Sequence, residues 1–318
     1  MRIIFFGTPE IAVPSLERLI AGRFEVVGVV SQPDRRRGRG RRVSPSPVSQ
    51  VALDAGLPLF RPEKVGEIRD DLAALAPDVG VVVAYGQFLP KKIRELPSKG
   101  FLINAHASLL PSYRGAAPIN HAILEGEKVT GVSVMRVDRE MDAGPVALVR
   151  EIEIGENENA GELTDRLAQL APDALEAALE AIDADNLRWV EQHHSRATFA
   201  GKLSREMGEL EWSESADALL RRIRAFAPKP GAYTVLDGEV LRIMRARIDS
   251  EDVAPTPGTL EVQAGKCLRV ATGKGWLIPT RVQRAGGKEM PIDAFLRGRP
   301  IPDGSRFGEE HESGLADD

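Results

Sequence analysis

Short apolar runs alternate with segments of helical spacing along the first half of the chain, and this alternation constrains the fold more than any other feature. The runs are rich in β-branched or aromatic side chains, which predicts strands. They are residues 3–6, 25–31, 78–84, 101–104, 130–137 and 146–154. Helices are expected between them and after them, at residues 14–21, 65–75, 90–96 and 160–182. The order predicts an α/β domain with a Rossmann-like parallel sheet and helical crossovers.

The second half of the chain has a different texture. Residues 193–205 are polar and aperiodic, as in a linker, and a helix is expected over residues 213–226 with Ser213 as its N-cap. Short strands separated by glycine turns follow. They are expected at residues 232–236, 240–246, 259–262, 267–271 and 276–282. Their number and spacing predict an antiparallel, OB-like β-barrel.

These patterns predict two domains in the 318-residue chain. We expect the first at residues 1–187, a linker at 188–205, the second domain at 206–308 and a disordered acidic tail at 309–318. The single cysteine, Cys267, excludes an intrachain disulfide and a multi-cysteine zinc site. It suits a reducing cytosol, and no apolar run is long enough for a membrane span. No histidine has the spacing of a zinc or iron ligand, so we expect no metal.

Six arginines lie close together after the second predicted strand. They are Arg35, Arg36, Arg37, Arg39, Arg41 and Arg42. The glycines and prolines of this segment predict a mobile loop without regular structure, whose guanidinium groups can meet phosphates. The net charge of −5 disfavours an indiscriminately basic nucleic-acid coat, and a charge run is also typical of a solvated surface loop.

Asn104 ends one of the apolar strands, and His106 lies two residues further on. Two residues apart on extended chain, their side chains are expected to point the same way, at the carboxyl edge where α/β sheets bind ligands. An amide that donates to a developing oxyanion and an imidazole that relays a proton suit acyl transfer. An isolated pair of this kind is more often an asparagine that ends a strand and a histidine that caps a turn.

Asp142 precedes the turn Ala-Gly-Pro, and a carboxylate near an imidazole orients it and stabilises its charged form. Taken alone, Asp142 is also an ordinary turn residue. The chain has no serine-hydrolase elbow, Walker loop or GxGxxG motif. ATP use and nicotinamide redox chemistry therefore lose support.

Taken in order, these motifs resemble the methionyl-tRNA formyltransferase family of folate-dependent formyltransferases. The resemblance covers nearly the whole chain. It is carried by FFGTPEIAVPSLERL, QPDRRRGRGRRVSPSPV, HASLLPSYRGAAPINHAIL, MDAGPV, KLSREMGELEW and RIRAFAPKPGAYT. The HASLLP block is shared by other folate-dependent formyltransferases, whereas the arginine segment and the C-terminal half are similar to the tRNA enzymes. The segment is richer in arginine than the usual pattern, and Lys229 stands where an aromatic residue is common.

The resemblance implies an enzyme that transfers a formyl group from 10-formyltetrahydrofolate to the α-amine of methionyl initiator tRNA. It implies a catalytic trio of Asn104, His106 and Asp142. The folate site would comprise Ser108, Leu109, Leu110, Pro111, Val83, Tyr85, Gly86, Phe88 and Leu89. The six arginines would enter the acceptor stem, and the C-terminal domain would bind the tRNA.

Three other functions stay open at this point. The first is the same chemistry with a small acceptor, such as a nucleotide-sugar amine, and the second is hydrolysis of the formylated folate by water. Neither needs the arginine segment. The third, a non-catalytic tRNA-binding protein of this fold, is disfavoured by the complete trio. We expect a monomer, because no apolar surface stripe stands out in the sequence.

Overall fold

The computed structural model describes residues 1–37, 42–250, 256–302 and 304–308. Contacts between residues divide the chain into two compact units. Unit 1 comprises residues 1–118, 129–153 and 163–201, and unit 2 comprises 119–128, 154–162 and the chain from 202 onward. Two short stretches of the first half thus belong by their contacts to unit 2. The predicted domain limits, 1–187 and 206–308, stay predictions.

Unit 1 is built on one seven-stranded sheet. Its strands are β1 (Arg2–Gly7), β2 (Glu25–Val30), β5 (Leu59–Phe60), β6 (Val79–Val83), β7 (Leu102–His106), β9 (Val129–Arg136) and β10 (Val146–Glu153). They lie in the order β10-β9-β7-β6-β1-β2-β5. The five strands from β5 to β7 are parallel, while β9 and β10 are antiparallel additions. The predicted Rossmann-like parallel sheet is confirmed.

The helices of unit 1 are α1 (Val13–Ala21), α2 (Pro47–Asp54), α3 (Arg69–Ala74), α4 (Lys91–Arg94) and most of α6 (Ala160–Asp183). All but α2 lie where a helix was predicted, and α2 was not predicted. Short 3-10 helices occupy Glu10–Ala12, Val65–Ile68 and His194–Arg196. Among the described residues, no helix is both long enough and apolar enough to cross a membrane.

The central strands of this sheet are buried, and this is why they are continuous apolar runs in the sequence. All five residues of β6 are buried, as are five of six in β1. Ile4, Phe6, Val82 and Leu102 pack in one core cluster with Leu72 of α3. A strand covered on both faces places its carboxyl end at a sheltered edge, and the candidate site lies there.

The arginine segment departs from its prediction. Its two ends form a small antiparallel pair, β3 (Arg35–Arg37) and β4 (Arg42–Ser44), in which Arg36 pairs with Val43. The prediction that glycine and proline prevent regular structure is therefore wrong for these ends, because backbone pairing across the segment needs only the flanking residues. Residues 38–41 lie outside the described residues, and so do 309–318, the predicted tail.

The aperiodic stretch that suggested a linker contains a strand that sequence patterning did not predict. This strand, β11 (Phe199–Ala200), pairs in parallel with β8 (Arg114–Gly115). The backbone N–H of Arg114 donates to the Thr198 carbonyl at 2.9 Å, and that of Ala116 donates to the Ala200 carbonyl at 2.8 Å. A two-residue strand has no periodicity to detect, and only its partner makes it visible.

Unit 2 contains a six-stranded antiparallel sheet. Its strands are β12 (Ala232–Leu236), β13 (Glu239–Ile248), β14 (Leu260–Gln263), β15 (Cys267–Ala271), β16 (Trp276–Arg284) and β17 (Glu289–Pro291). The order is β12-β13-β16-β15-β14, with β17 also paired to β16. Across the described ranges β12 and β14 form no ladder with each other, so the sheet is not closed. An antiparallel sheet is confirmed, and the OB-like barrel is not.

The helices of unit 2 are α5 (Pro118–Leu124), α7 (Ala216–Phe226) and α8 (Ile292–Gly298), with a 3-10 helix at Glu206–Gly208. The first residue of α5, Pro118, belongs by its contacts to unit 1. The predicted N-cap of α7 is wrong by two residues, because Ser215 rather than Ser213 accepts a hydrogen bond from the N–H of Ala218. Neither β17 nor α8 was predicted, since both are short. Trp212 and Phe307 stack with their ring centroids 5.1 Å apart.

Candidate active site at the carboxyl edge of the parallel sheet

Asn104 and His106 both belong to β7, at its carboxyl end. Asn104 pairs with Val82 of β6 on one side and with Met135 of β9 on the other. The side chain of Asn104 is half-buried, and within the described ranges its amide has no hydrogen-bond partner. An amide held on a central strand with free donors can bind an oxygen that gains negative charge.

The imidazole of His106 is buried between two oxygen acceptors. Its Nε2 lies 2.9 Å from the Tyr113 carbonyl oxygen, and its Nδ1 lies 3.6 Å from Oδ2 of Asp142. A carbonyl only accepts hydrogen bonds, so Nε2 carries the proton in that contact. Nδ1 then faces a carboxylate. Both ring nitrogens therefore face oxygen acceptors, and this arrangement matches a ring that carries an N–H at each nitrogen.

Asp142 lies in a turn between β9 and β10 and adopts a left-handed backbone conformation with φ +52°. Its side chain is only 14% exposed, and Oδ2 accepts a 2.9 Å hydrogen bond from the backbone N–H of Gly115. A non-glycine residue in this conformation is uncommon and is retained where surrounding contacts hold it. The turn thereby brings the carboxylate to the imidazole of His106.

The segment after His106 is fixed by two serines. The hydroxyl of Ser133, on β9, donates to the Ser108 carbonyl at 2.7 Å and accepts from the N–H of Leu110 at 3.1 Å. The hydroxyl of Ser108 donates in turn to the Ser112 carbonyl at 2.6 Å. Of the predicted folate residues here, Ser108 is buried, whereas Leu109, Leu110 and Pro111 are half-buried.

The loop after β6 lies at the same sheet edge, because β6 and β7 are parallel neighbours. Ala84 and Gly86 are exposed and have positive φ angles of 46° and 81°. The carbonyl of Tyr85 between them accepts from the Thr8 hydroxyl at 3.0 Å and from Nε2 of Gln32 at 2.9 Å. The loop backbone is therefore held in a defined shape.

Side chains of this loop alternate between core and solvent. Tyr85 and Leu89 are buried, whereas Phe88 is 69% exposed. Burial raises the pKa of the Tyr85 hydroxyl well above its usual range, so this residue stays neutral. Of the predicted folate residues, those of this loop and those after His106 are brought to one edge of the sheet.

The arginine segment begins at this edge as well. Nη2 of Arg35 donates to Oε1 of Gln32 at 3.2 Å, and Gln32 is the residue that holds the Tyr85 carbonyl. Arg36, Arg37 and Arg42 lie on the paired strands β3 and β4, whereas Arg39 and Arg41 lie outside the described residues.

Several residues of the site were missed by sequence reasoning. The sequence offered a weak signal for three of them, because Thr8, Gln32 and Gly115 lie inside motifs already singled out. Ser133 lies in the middle of β9, where no motif marks it. Gln192 offered none, because it lies in the predicted linker at 188–205, 50 residues along the chain from Asp142, whose carbonyl it binds.

The chain is similar in sequence to known formyltransferases along nearly its whole length. The formyl transferase family model matches residues 1–179, and the model of the formyl transferase C-terminal domain matches residues 202–300. A methionyl-tRNA formyltransferase of Alkaliphilus oremlandii (strain OhILAs) is 41% identical, over 97% of this chain and 100% of that protein. One from Methylococcus capsulatus is 45% identical, over 97% of this chain and 100% of its own.

Solved structures share the fold at low sequence identity. The N-formyltransferase of Helicobacter canadensis, in complex with folinic acid and dTDP-3-aminofucose, has a TM-score of 0.68 and 16% identity, covering 87% of this chain and 98% of its own. A methionyl-tRNA formyltransferase from Clostridium thermocellum has a TM-score of 0.54 and 15% identity, covering 78% of this chain and 94% of its own. Family model, relatives and fold agree that the chain belongs to the formyl transferase family and is a formyltransferase.

Proposed function

We propose that this formyltransferase transfers the formyl group of 10-formyltetrahydrofolate to the α-amine of methionine esterified to initiator tRNA. The relatives that match nearly the full chain carry the name of that activity. The observation that carries the proposal is the meeting of His106 with Asp142 beside Asn104, at the carboxyl end of β7. An amide donor, an imidazole and a carboxylate at one point are the groups that acyl transfer to an amine requires.

Each member of the trio has a proposed task. The amide of Asn104 donates to the formyl oxygen, and the positive charge of the protonated His106 ring stabilises the negative charge that grows on that oxygen as the amine nitrogen bonds to the formyl carbon. Asp142 orients the imidazole, stabilises its charge and helps to accept the proton that the amine loses. The bond from the formyl carbon to the folate nitrogen then breaks, and the proton taken from the amine passes to that nitrogen as tetrahydrofolate leaves. No covalent bond to the enzyme is needed. The trio therefore acts by hydrogen bonding, charge and proton transfer alone.

The folate that supplies the formyl group would bind at this edge of the sheet, between two segments of the chain. One comprises Ser108, Leu109, Leu110 and Pro111, and the other comprises Val83, Tyr85, Gly86, Phe88 and Leu89. The exposed positive-φ positions Ala84 and Gly86 support this assignment, because such a turn presents peptide groups outward. A flat heterocycle with several donors and acceptors is matched by backbone groups held in a fixed shape. Thr8 and Gln32 provide that fixation through the Tyr85 carbonyl.

The tRNA would be bound by the arginine segment and by the C-terminal domain, for which an OB-like role in nucleic-acid binding is proposed. Arg35 hydrogen-bonds to Gln32, which also holds the proposed donor loop. An acceptor stem bound by arginines beside Gln32 would place its esterified methionine close to the same edge of the sheet. Phosphate contacts of this kind supply affinity without reading sequence.

The decisive experiment compares acceptors in a formylation assay with 10-formyltetrahydrofolate. Methionyl initiator tRNA is set against uncharged initiator tRNA, a nucleotide-sugar amine and water alone. We expect a formylated methionyl-tRNA product and no comparable turnover with the other three. Transfer to the sugar amine or release of formate without tRNA would contradict the proposal and identify the alternative activity directly.

A further inference from the structure

We propose that Gln192, held in place by Arg114, is a positioning residue for the Asp142 carboxylate. The inference rests on the proposed catalytic role of Asp142 and deepens it. Gln192 is buried, and its Nε2 donates to the Asp142 carbonyl at 2.8 Å and to the Gly144 carbonyl at 2.7 Å. One amide nitrogen thus clamps both sides of the turn that carries the carboxylate.

Arg114 determines which way the Gln192 amide faces. Nε and Nη2 of Arg114 lie 3.1 Å and 2.7 Å from Oε1 of Gln192. A guanidinium can only donate and a backbone carbonyl can only accept, so the amide oxygen must face Arg114 and the amide nitrogen must face the turn. The reversed amide would place donor against donor and acceptor against acceptor. The amide of Gln192 therefore has one orientation in this site, with Oε1 toward Arg114 and Nε2 toward the Asp142 turn.

The burial of Arg114 supports a positioning task. Only 5% of this residue is exposed, and the partners of its guanidinium in the described residues are the neutral Gln192 amide and, at 3.3 Å, Nδ1 of His194. A buried cation without a carboxylate partner is costly to fold around. The buried charge strengthens the hydrogen bonds from Arg114 to Gln192, so the amide is held more firmly than a neutral partner would hold it.

The contacts close into a ring around the carboxylate. Arg114 binds Gln192, Gln192 binds the Asp142 backbone, and the Asp142 carboxylate accepts from the N–H of Gly115, the next residue after Arg114. Asp142 needs such support because its φ of +52° is unfavourable for a residue with a side chain. The ring therefore couples the strained turn to the orientation of the group that faces His106.

The test replaces Gln192 by glutamate, which has the same shape. In Gln192→Glu an oxygen takes the place of Nε2 and repels the two carbonyls, while the new charge pairs with Arg114 and favours retention of the fold. We expect kcat for methionyl-tRNA formylation to fall about 100-fold, since misplacing a reacting group by about 1 Å has that effect, with the KM of both substrates little changed. Gln169→Glu, at an exposed position of α6, is the charge-matched control and should match the wild type.

A double-mutant cycle separates positioning from general structural support. If Gln192 acts through the Asp142 carboxylate, Gln192→Glu should lose most of its effect in the Asp142→Asn background, measured as single-turnover rates. A structural defect would lower the rate by the same factor in both backgrounds. Equal factors, wild-type kcat in folded Gln192→Glu, or a rise in KM alone would each overturn the inference.

Arg114→Lys provides a second variant should Gln192→Glu fail to fold. Lysine keeps the charge but offers one nitrogen where the guanidinium offers two, so we expect a smaller fall in kcat that again disappears in the Asp142→Asn background. An unchanged kcat in Arg114→Lys would overturn the proposed role of Arg114. The wild-type enzyme is assayed first: failure to formylate methionyl-tRNA would refute the proposed function, whereas an active wild type with insensitive variants refutes only the positioning role.

Discussion

The backbone N–H of Gly115 donates a 2.9 Å hydrogen bond to Oδ2 of Asp142. This is the carboxylate oxygen that lies 3.6 Å from Nδ1 of His106. Oδ2 therefore lies between the backbone N–H of Gly115 and the imidazole of His106, so the position of Gly115 sets the orientation of the carboxylate relative to the ring.

Substitution of Gly115 by alanine should damage both stability and catalysis. Gly115 has a φ of +124°, and a Cβ there would lie 2.5 Å from the Ala200 carbonyl oxygen, so β8 and β11 would have to separate. We expect a loss of about 3 kcal/mol in the free energy of unfolding, the upper range for a strained backbone position, and a lower kcat. Gly201→Ala is the matched control, because a Cβ at Gly201 meets nothing within 4 Å. Equal urea midpoints for the two variants would contradict the prediction.

Removal of the proposed catalytic side chains should lower kcat far more than stability. His106→Ala should lose about 10²- to 10⁴-fold in kcat/KM, the usual share of a general acid or base. Asn104→Ala should lose about 10²- to 10³-fold, as for one oxyanion donor. His193→Ala and Asn186→Ala remove the same side chains at exposed positions and should leave the rate unchanged. Wild-type kcat/KM in either site variant would refute its role.

Neutralising arginines in the β3–β4 segment should weaken the use of tRNA selectively. We expect Arg39→Gln, Arg41→Gln and Arg42→Gln together to raise the KM for tRNA and to reduce the salt dependence of binding by about one unit of slope for each lost phosphate contact. The KM for folate should hardly change. A charge-matched control carries glutamine at the exposed positions Arg23, Arg69 and Arg188. A parallel loss of folate affinity would indicate a structural role for the segment.

Asp78 should make stability depend on pH in the acid range. Hydrogen bonds from the Arg2 backbone N–H at 2.7 Å and from the Ser98 hydroxyl at 2.9 Å lower the pKa of this carboxyl below its usual value. A lowered folded-state pKa stabilises the fold above the unfolded pKa of about 3.9, and the contribution disappears as the pH falls through the folded pKa. Asp78→Asn should therefore be less stable than the wild type at pH 7, and the gap should shrink below about pH 4.

Urea midpoints measured between neutral and acid pH test this expectation, with Asp165→Asn on the exposed face of α6 as the control. A constant gap between Asp78→Asn and the wild type at all pH values would show that the loss is not electrostatic.

Much of unit 1 follows from the amino-acid sequence, because buried parallel strands must be apolar along their whole length. β1, β2, β6 and β7 were predicted within two residues at each end. The predicted strand ended at Asn104, whereas β7 continues to His106, and the two side chains share a face of the strand because they are two residues apart. The short elements β8, β11, β17 and α8 were not predicted, because two to seven residues carry too little periodicity.

The sequence by itself determined the parallel sheet, the position of Asn104 and His106 at its carboxyl edge and the family to which the chain belongs, since each follows from local periodicity or from contiguous motifs. Only the tertiary structure decided that Asp142 meets His106, that Gln192 and Arg114 hold the Asp142 turn, and that the second sheet stays open across its described strands. The physical reason is distance along the chain. A contact between residues dozens of positions apart depends on strand pairing and turn conformation elsewhere, and it leaves no pattern near either partner.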